Sequence, residues 1–245
     1  MISNTSPVKT CGSGYLQIQE IIDRETATML RPLECMASDG KRYFVKSRRT
    51  DRRPLICEWV CSRLAKVLNL QCPEVKIAHL SRDLLDGFGV SDYDLVPSLV
   101  FCSEAVGLAD TFPKAATREV YQENRRKLLA FDYWIHNADR RDANPNLLWQ
   151  AHKKTMWLID HHETLAPEPI RPIETTHIFR NEWPNLWIED NGSDLRSWIK
   201  DGYSHLETIL EELPREWTEG LEDILIDIPN LLGRDLPYSN NHSSS

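Results

Sequence analysis

The sequence predicts an α+β fold with two lobes: an N-terminal antiparallel-sheet lobe that carries one helix, and a C-terminal lobe that is mostly helical. Two observations lead to this prediction. Strand-like segments concentrate in residues 1–105, and helical spacing of apolar residues dominates residues 106–236. Residues 237–245 are too polar to pack and are predicted to form a flexible tail. A ligand site is expected in the cleft between the lobes.

Three antiparallel strands open the predicted sheet. Apolar and polar residues partly alternate over Tyr15–Ile22, and the strand-like segments 31–37 and 41–47 flank Asp39-Gly40, a pair typical of tight hairpin turns. Two later strand-like segments, residues 74–80 and 97–106, complete a predicted sheet of about five strands.

Helical spacing first appears between the third and fourth strands. Apolar residues recur at helical intervals over residues 52–70, and Asp51 is placed to cap that helix. In the second half, a helix leading to Ile135 is predicted to be capped by Thr117. Two later helices are predicted, one from a capping-box pattern that begins at Ser204 and one from apolar residues after Trp217.

Composition and charge exclude several classes of protein. The 29 Lys and Arg residues against 37 Asp and Glu residues give a net charge of −8, which argues against binding nucleic acid through charge alone. No secretory signal is recognisable, and no window approaches the roughly 20 apolar residues of a membrane-spanning helix. We therefore expect a cytoplasmic protein without membrane contact, in which the six cysteines are reduced and partly buried.

The most informative pattern is an acid, an amide and a second acid. Asn144 follows Asp139 by five residues, and Asp160 ends the apolar, strand-like run Met156–Ile159. This arrangement is typical of phosphotransferases. In such a site Asp139 accepts the proton of an attacking hydroxyl, while Asn144 and Asp160 offer oxygen ligands to a divalent cation.

A cation for the nucleotide phosphates is found upstream. Lys46 ends the third predicted strand, as the phosphate-binding lysine of protein kinases does, and Glu58 is the only acid in the following helix and is therefore the candidate to hold it. Each of these residues also has an ordinary interpretation: an exposed lysine at a strand end, an exposed helical acid, and a surface run of charges around Asp139.

Two metal sites are weaker alternatives. His161 and His162 beside Asp160 suggest a metal hydrolase that would also use Asp139 and Asp142. Cys57 and Cys61, four residues apart in the predicted helix, would need two further ligands. Arg140, next to Asp139, is expected to pair with a nearby acid such as Asp132 rather than with a phosphate.

The motifs FVKS, EWVCSRLAKVLNLQCP, NADRRDANPNLL and LIDH together resemble the HipA-like kinases, from about Leu16 to about Leu165. The resemblance implies a protein-kinase-like fold. It also implies that Asp139 is catalytic, that Asn144 and Asp160 bind the metal, and that Lys46 binds phosphate. The implied activity is the ATP- and Mg²⁺-dependent phosphorylation of protein serine or threonine. Some members are toxins of toxin–antitoxin pairs, so the resemblance also suggests an antitoxin-type partner.

The chain also departs from the protein-kinase pattern. The turn between the first two strands lacks glycine, and Thr26 and Thr28 are the candidates to replace its phosphate contacts. Glu104, on the predicted connection between the lobes, is placed where main-chain groups would hold adenine. Because of these departures two alternatives stay open: a catalytically silent protein that keeps the fold to bind a partner, and a small-molecule kinase.

Overall fold

The computed structural model describes residues 14–24, 32–47, 51–88 and 95–234. The strands are β1 (Leu16–Arg24), β2 (Leu33–Ala37), β3 (Arg42–Lys46), β4 (Val75–Leu80), β5 (Ser98–Glu104), β6 (Asp110–Thr111), β7 (Leu147–Gln150) and β8 (Thr155–Leu158). The α-helices are α1 (Arg53–Val67), α2 (Arg82–Phe88), α3 (Gln122–Trp134), α4 (Ile173–Thr176), α5 (Glu189–Ser204), α6 (Leu206–Glu211), α7 (Arg215–Thr218) and α8 (Ile224–Arg234). The predicted α+β class is confirmed. The predicted tail, 237–245, lies outside the described residues.

The first five strands form a small closed barrel in the order β1-β2-β3-β5-β4. The hairpin of β2 and β3 turns at the predicted Asp39-Gly40 pair, where Gly40 has a φ of +76°, a conformation that glycine adopts without steric cost. The barrel closes because β1 pairs in parallel with β4, Leu16 lying opposite Ala78. Its interior is a tightly buried apolar cluster.

Helix α1 joins the barrel to the helical part of the chain. It contacts β5 on one side and α5, α6 and α7 on the other, and it is buried along most of its length. The indole N–H of Trp217 donates to the carbonyl of Leu99 in β5 at 2.9 Å, which ties α7 to the barrel. Glu58 and Ser62 of α1 are polar yet buried, and both face the candidate site described below.

Strands β6, β7 and β8 form a second, three-stranded sheet in that order. The chain leaves β8 just before Asp160. Strand β8 corresponds to the predicted apolar run before Asp160, whereas β7 and helix α5 were not predicted. Two predicted caps are wrong. Thr117 lies in the 3₁₀ helix Lys114–Arg118, so α3 begins later, and the Ser204 hydroxyl donates back to Asp201 at the end of α5.

The five described cysteines are buried free thiols, as predicted for reduced residues, while Cys11 lies outside the described residues. Among the helices that the structure describes, none combines the length and the apolar character needed to cross a bilayer.

Candidate active site

Lys46 lies where three elements of the fold meet. It is the last residue of β3, and its ammonium donates to a carboxylate oxygen of Glu58 in α1 and, at 2.7 Å, to Oδ1 of Asp160 just after β8. The side chain of Lys46 is 14% exposed and that of Glu58 is 2% exposed. The structure therefore brings together the two residues that the sequence paired twelve positions apart, and it adds the second acid.

Lys46, Glu58 and Asp160 form a cluster in which each charge changes the pKa values of the others. Burial lowers the pKa of Lys46, but the carboxylates of Glu58 and Asp160 outweigh burial and hold the pKa above its usual value. Burial raises the pKa of Asp160, but Lys46 and then His162 outweigh it and hold that pKa well below its usual value. Burial is the dominant effect on Glu58, whose pKa is raised. At neutral pH the cluster thus presents a lysine cation beside an ionised aspartate.

Asp160 is held in an unusual backbone conformation. Its φ is +64°, in the left-handed region that only glycine, asparagine and aspartate adopt readily. The ring nitrogen Nδ1 of His162 is hydrogen-bonded to Asp160 Oδ1. In the described part of the chain, Glu58, Asp160 and His162 form the one group of His, Cys, Asp and Glu residues whose ligand atoms all lie within 4.8 Å of one another.

Asp139 receives three side-chain hydrogen bonds. Asn144 and Asn146 donate their amide N–H groups to Oδ2 at 2.6 and 3.0 Å, and Arg141 donates to Oδ1 at 3.0 Å. The aspartate side chain is 11% exposed. Asn146 was not predicted, although it belongs to the Asn-Pro-Asn turn that begins at Asn144 of the predicted motif.

A buried ion pair holds the loop that carries Asp139. Arg140 and Asp132 are both fully buried and are joined by a 2.6 Å hydrogen bond from Nε, as predicted for Arg140. Asp132 also accepts from Asn137 at 2.9 Å and pairs with Nε2 of His177 at 3.0 Å. His177 was not predicted, because nothing in its sequence surroundings marks it.

Two hydrogen bonds fasten the Asp139 loop to the segment that carries Asp160. The Arg140 guanidinium donates to the carbonyl of Ile159 at 3.3 Å, and the N–H of Ile159 donates to the carbonyl of Asn146 at 3.2 Å. Both proposed catalytic segments are therefore positioned against each other by residues that flank Asp139 and Asp160.

Of the predicted metal-hydrolase residues, only Asp160 and His162 belong to the candidate metal-binding group of the described residues. Burial and then the charge of Arg140 lower the pKa of His161 to about 3, so its imidazole is neutral at physiological pH, and it lies against Arg140. Asp142 pairs instead with Lys114 and Arg180 on the exposed side of the loop. Cys57 and Cys61 contact Thr164, and neither belongs to a metal-binding group among the described residues.

A cavity of about 240 Å³ adjoins the cluster. Lys46, Glu58 and Asp160 line it together with apolar side chains such as Phe101 and Leu158. Glu104 lines the same cavity. Phe101 lies opposite Lys46 in the pairing of β3 with β5, and Glu104 is three residues beyond Phe101, so Glu104 lies about 10 Å from the level of Lys46 along β5.

The Glu104 carboxylate accepts a hydrogen bond from Lys41 at 2.8 Å. The predicted phosphate contacts Thr26 and Thr28 lie outside the described residues.

The chain is similar to one protein family and to several solved structures. The family model described as HipA-like kinase matches residues 18–232. The crystal structure of the Helicobacter pylori proinflammatory kinase CtkA is similar to this chain with a TM-score of 0.54 and 10% identity, over 89% of this chain and 92% of that one. The crystal structure of the Golgi casein kinase gives a TM-score of 0.44 and 11% identity, over 95% and 73% of the two chains. No curated protein sequence matches the chain.

Proposed function

Because the chain belongs to the HipA-like kinase family, and is therefore a kinase, we propose that it transfers the γ-phosphate of ATP to a hydroxyl group, with a protein serine or threonine as the acceptor. The observation that carries this proposal is the position of Lys46. Its charge is held by Glu58 and Asp160 at the wall of the cavity, where phosphate oxygens would meet a cation that the protein already holds in the site.

The acids in the site suit a hard cation. Asp160 is ionised at neutral pH, its side chain is 24% exposed, and carboxylate and amide oxygens are the ligands that Mg²⁺ prefers. We assign Asp160 and Asn144 as the residues that would hold Mg²⁺. When bound, Mg²⁺ neutralises charge on the transferring phosphate.

Asp139 is assigned as the group that orients the acceptor hydroxyl and takes its proton. The two asparagine amides and Arg141 fix both carboxylate oxygens, so the acid needs little reorganisation when the acceptor arrives. Most of the catalysis would then be positioning and electrostatic stabilisation, as in other phosphoryl transfers.

The nucleotide base is assigned to the cavity. A volume of about 240 Å³ is below the roughly 300 to 1,000 Å³ of whole-ligand pockets, which suits a base better than an entire nucleotide. Main-chain groups of Glu104 and Val106, which both line the cavity, would hold the adenine, and Thr26 and Thr28 would contact phosphate. In this proposal residues 1–105 and 106–236 form the two lobes that enclose ATP.

The experiment combines binding with transfer. ATP should raise the melting temperature of the purified chain, and more so with Mg²⁺, because a ligand that binds only the native state stabilises it. Labelled γ-phosphate should then appear on a serine or threonine of a protein substrate or of the chain itself, as located by mass spectrometry. Label that appears only on an added alcohol or sugar would identify a small-molecule kinase. A stabilising shift without any transfer would favour the silent binding protein. An antitoxin-type partner and a cytoplasmic location stay predictions.

A further inference from the structure

A ring nitrogen of His161, buried beside Glu58, has no hydrogen-bond partner among the described residues. His161 is 1% exposed, and its ring nitrogen Nδ1 makes no hydrogen bond within the described ranges. That nitrogen faces Oε2 of Glu58 across 3.9 Å, which is too long for a hydrogen bond. Unpaired buried polar atoms are rare in folded proteins, so each one calls for an explanation.

The neighbours of His161 determine which nitrogen carries the proton. A guanidinium nitrogen of Arg140 lies 3.5 Å from His161 Nε2, and an arginine can only donate. Nε2 of the neutral ring is therefore the acceptor, and the hydrogen is on Nδ1. The unpaired atom is thus an N–H donor directed at the Glu58 carboxylate, whose other oxygen holds Lys46.

We propose that His161 is a positioning residue for the phosphate-binding lysine: its Nδ1–H donates to Oε2 of Glu58 when phosphate draws Lys46 away from Asp160. This rests on the proposed function. A movement of the carboxylate by about 1 Å brings the 3.9 Å separation into hydrogen-bonding range. Glu58 is then held from both sides, by Lys46 and by His161.

The consequence is a continuous connection across the site. Arg140 is next to Asp139 and contacts His161, His161 faces Glu58, and Glu58 holds Lys46. The loop that activates the acceptor and the lysine that binds the donor would therefore reach their working positions together.

Three variants of His161 separate this role from packing. His161→Phe keeps a ring beside Phe131, whose centroid is 6.3 Å away, but has no nitrogen. His161→Gln reaches the position of Nε2 without a donor toward Glu58, so it serves if the phenylalanine variant does not fold. His161→Asn places an amide N–H near the position of Nδ1.

The expected effects follow from the loss of one hydrogen bond to a charged group. His161→Phe and His161→Gln should weaken binding of a non-hydrolysable ATP analogue, and lower kcat/KM for ATP, by about tenfold to a hundredfold. His161→Asn should stay within about threefold of the wild type, since its donor is retained. Equal losses in the asparagine and phenylalanine variants would overturn the proposal.

A double-mutant cycle tests whether His161 acts through Glu58. In a Glu58→Ala background, His161→Phe should have almost no further effect on analogue affinity. The matched control is His177→Phe, a second buried histidine, which contacts Asp132 and not Glu58. Its effect should be the same in both backgrounds.

Full additivity of the His161 and Glu58 substitutions would contradict the proposed connection, and so would a cycle for His177 with the same coupling. These outcomes are distinct from a failure of the proposed function. A wild-type chain that neither binds the ATP analogue nor transfers phosphate would overturn the function itself. A wild-type chain that does both, with additive substitutions, would overturn only the role of His161.

Discussion

Replacing Asp132 by alanine should destabilise the fold strongly, because it leaves the Arg140 charge buried without a counter-ion. Both side chains are fully buried and are 2.6 Å apart. Breaking such a pair from one side costs about 3 to 5 kcal/mol. For a domain of this size, 1 kcal/mol corresponds to about 2 to 4 °C, so the melting temperature should fall by about 6 to 20 °C.

Asp142→Ala is the matched control. Asp142 belongs to the same loop region and also pairs with basic residues, Lys114 and Arg180, but the side chains of this cluster are 32% to 75% exposed. Solvent screens exposed pairs, so the loss should be at most about 1 kcal/mol. Thermal and urea unfolding of both variants decide the matter. Equal melting temperatures for the two variants would show that burial does not make the Asp132 pair essential.

Three further predictions concern the site, pH and packing. Lys46→Met should weaken binding of a non-hydrolysable ATP analogue by about tenfold or more while the chain still folds, since Glu58 can take a proton; unchanged affinity by calorimetry would contradict this. Burial, partly offset by Asp132, lowers the pKa of His177, so below about pH 6.5 the unfolded chain gains a proton that the folded chain does not. The free energy of unfolding should therefore decrease as the pH is lowered, by up to about 1.4 kcal/mol per pH unit. Urea unfolding of His177→Phe should show a weaker dependence on pH, and an equal dependence would show that His177 is not the group responsible. Gly202→Ala should lower the free energy of unfolding by about 1 to 3 kcal/mol, because the added Cβ would lie 2.9 Å from carbons of Leu68. In the control Gly87→Ala the added Cβ meets open space, so thermal unfolding should show no loss of stability. Equal effects of the two substitutions would show that the Leu68 contact does not matter.

The sequence predicted local features of the fold well. The hairpin at Asp39-Gly40 and the helix that carries Glu58 follow from turn chemistry and from apolar spacing, which are properties of neighbouring residues. Closure of the barrel did not follow, because alternation along β1 does not reveal that its partner is the parallel strand β4. The cap at Thr117 failed because a 3₁₀ turn takes up that residue before the helix begins.

In the candidate site too, residues close together in the chain could be selected from the sequence, whereas contacts between distant residues could not. Asp139, Asn144 and Asp160 were candidates because phosphoryl transfer requires these residue types close together in the chain, and their roles stay predictions. His177 is 45 residues from Asp132 and shares no pattern with it, so only the folded chain reveals their contact. The contact of Lys46 with Asp160 likewise joins residues 114 positions apart.

Asp139 is proposed to take the proton of the acceptor hydroxyl during phosphate transfer. The most direct measurement is single-turnover transfer of labelled γ-phosphate by Asp139→Asn beside the wild type, with the melting temperature and the affinity for an ATP analogue measured on the same samples. The amide keeps the shape of the side chain but cannot accept the proton. We expect transfer to fall by about a hundredfold to ten-thousandfold, with folding and nucleotide affinity retained. Transfer at the wild-type rate would contradict the assignment.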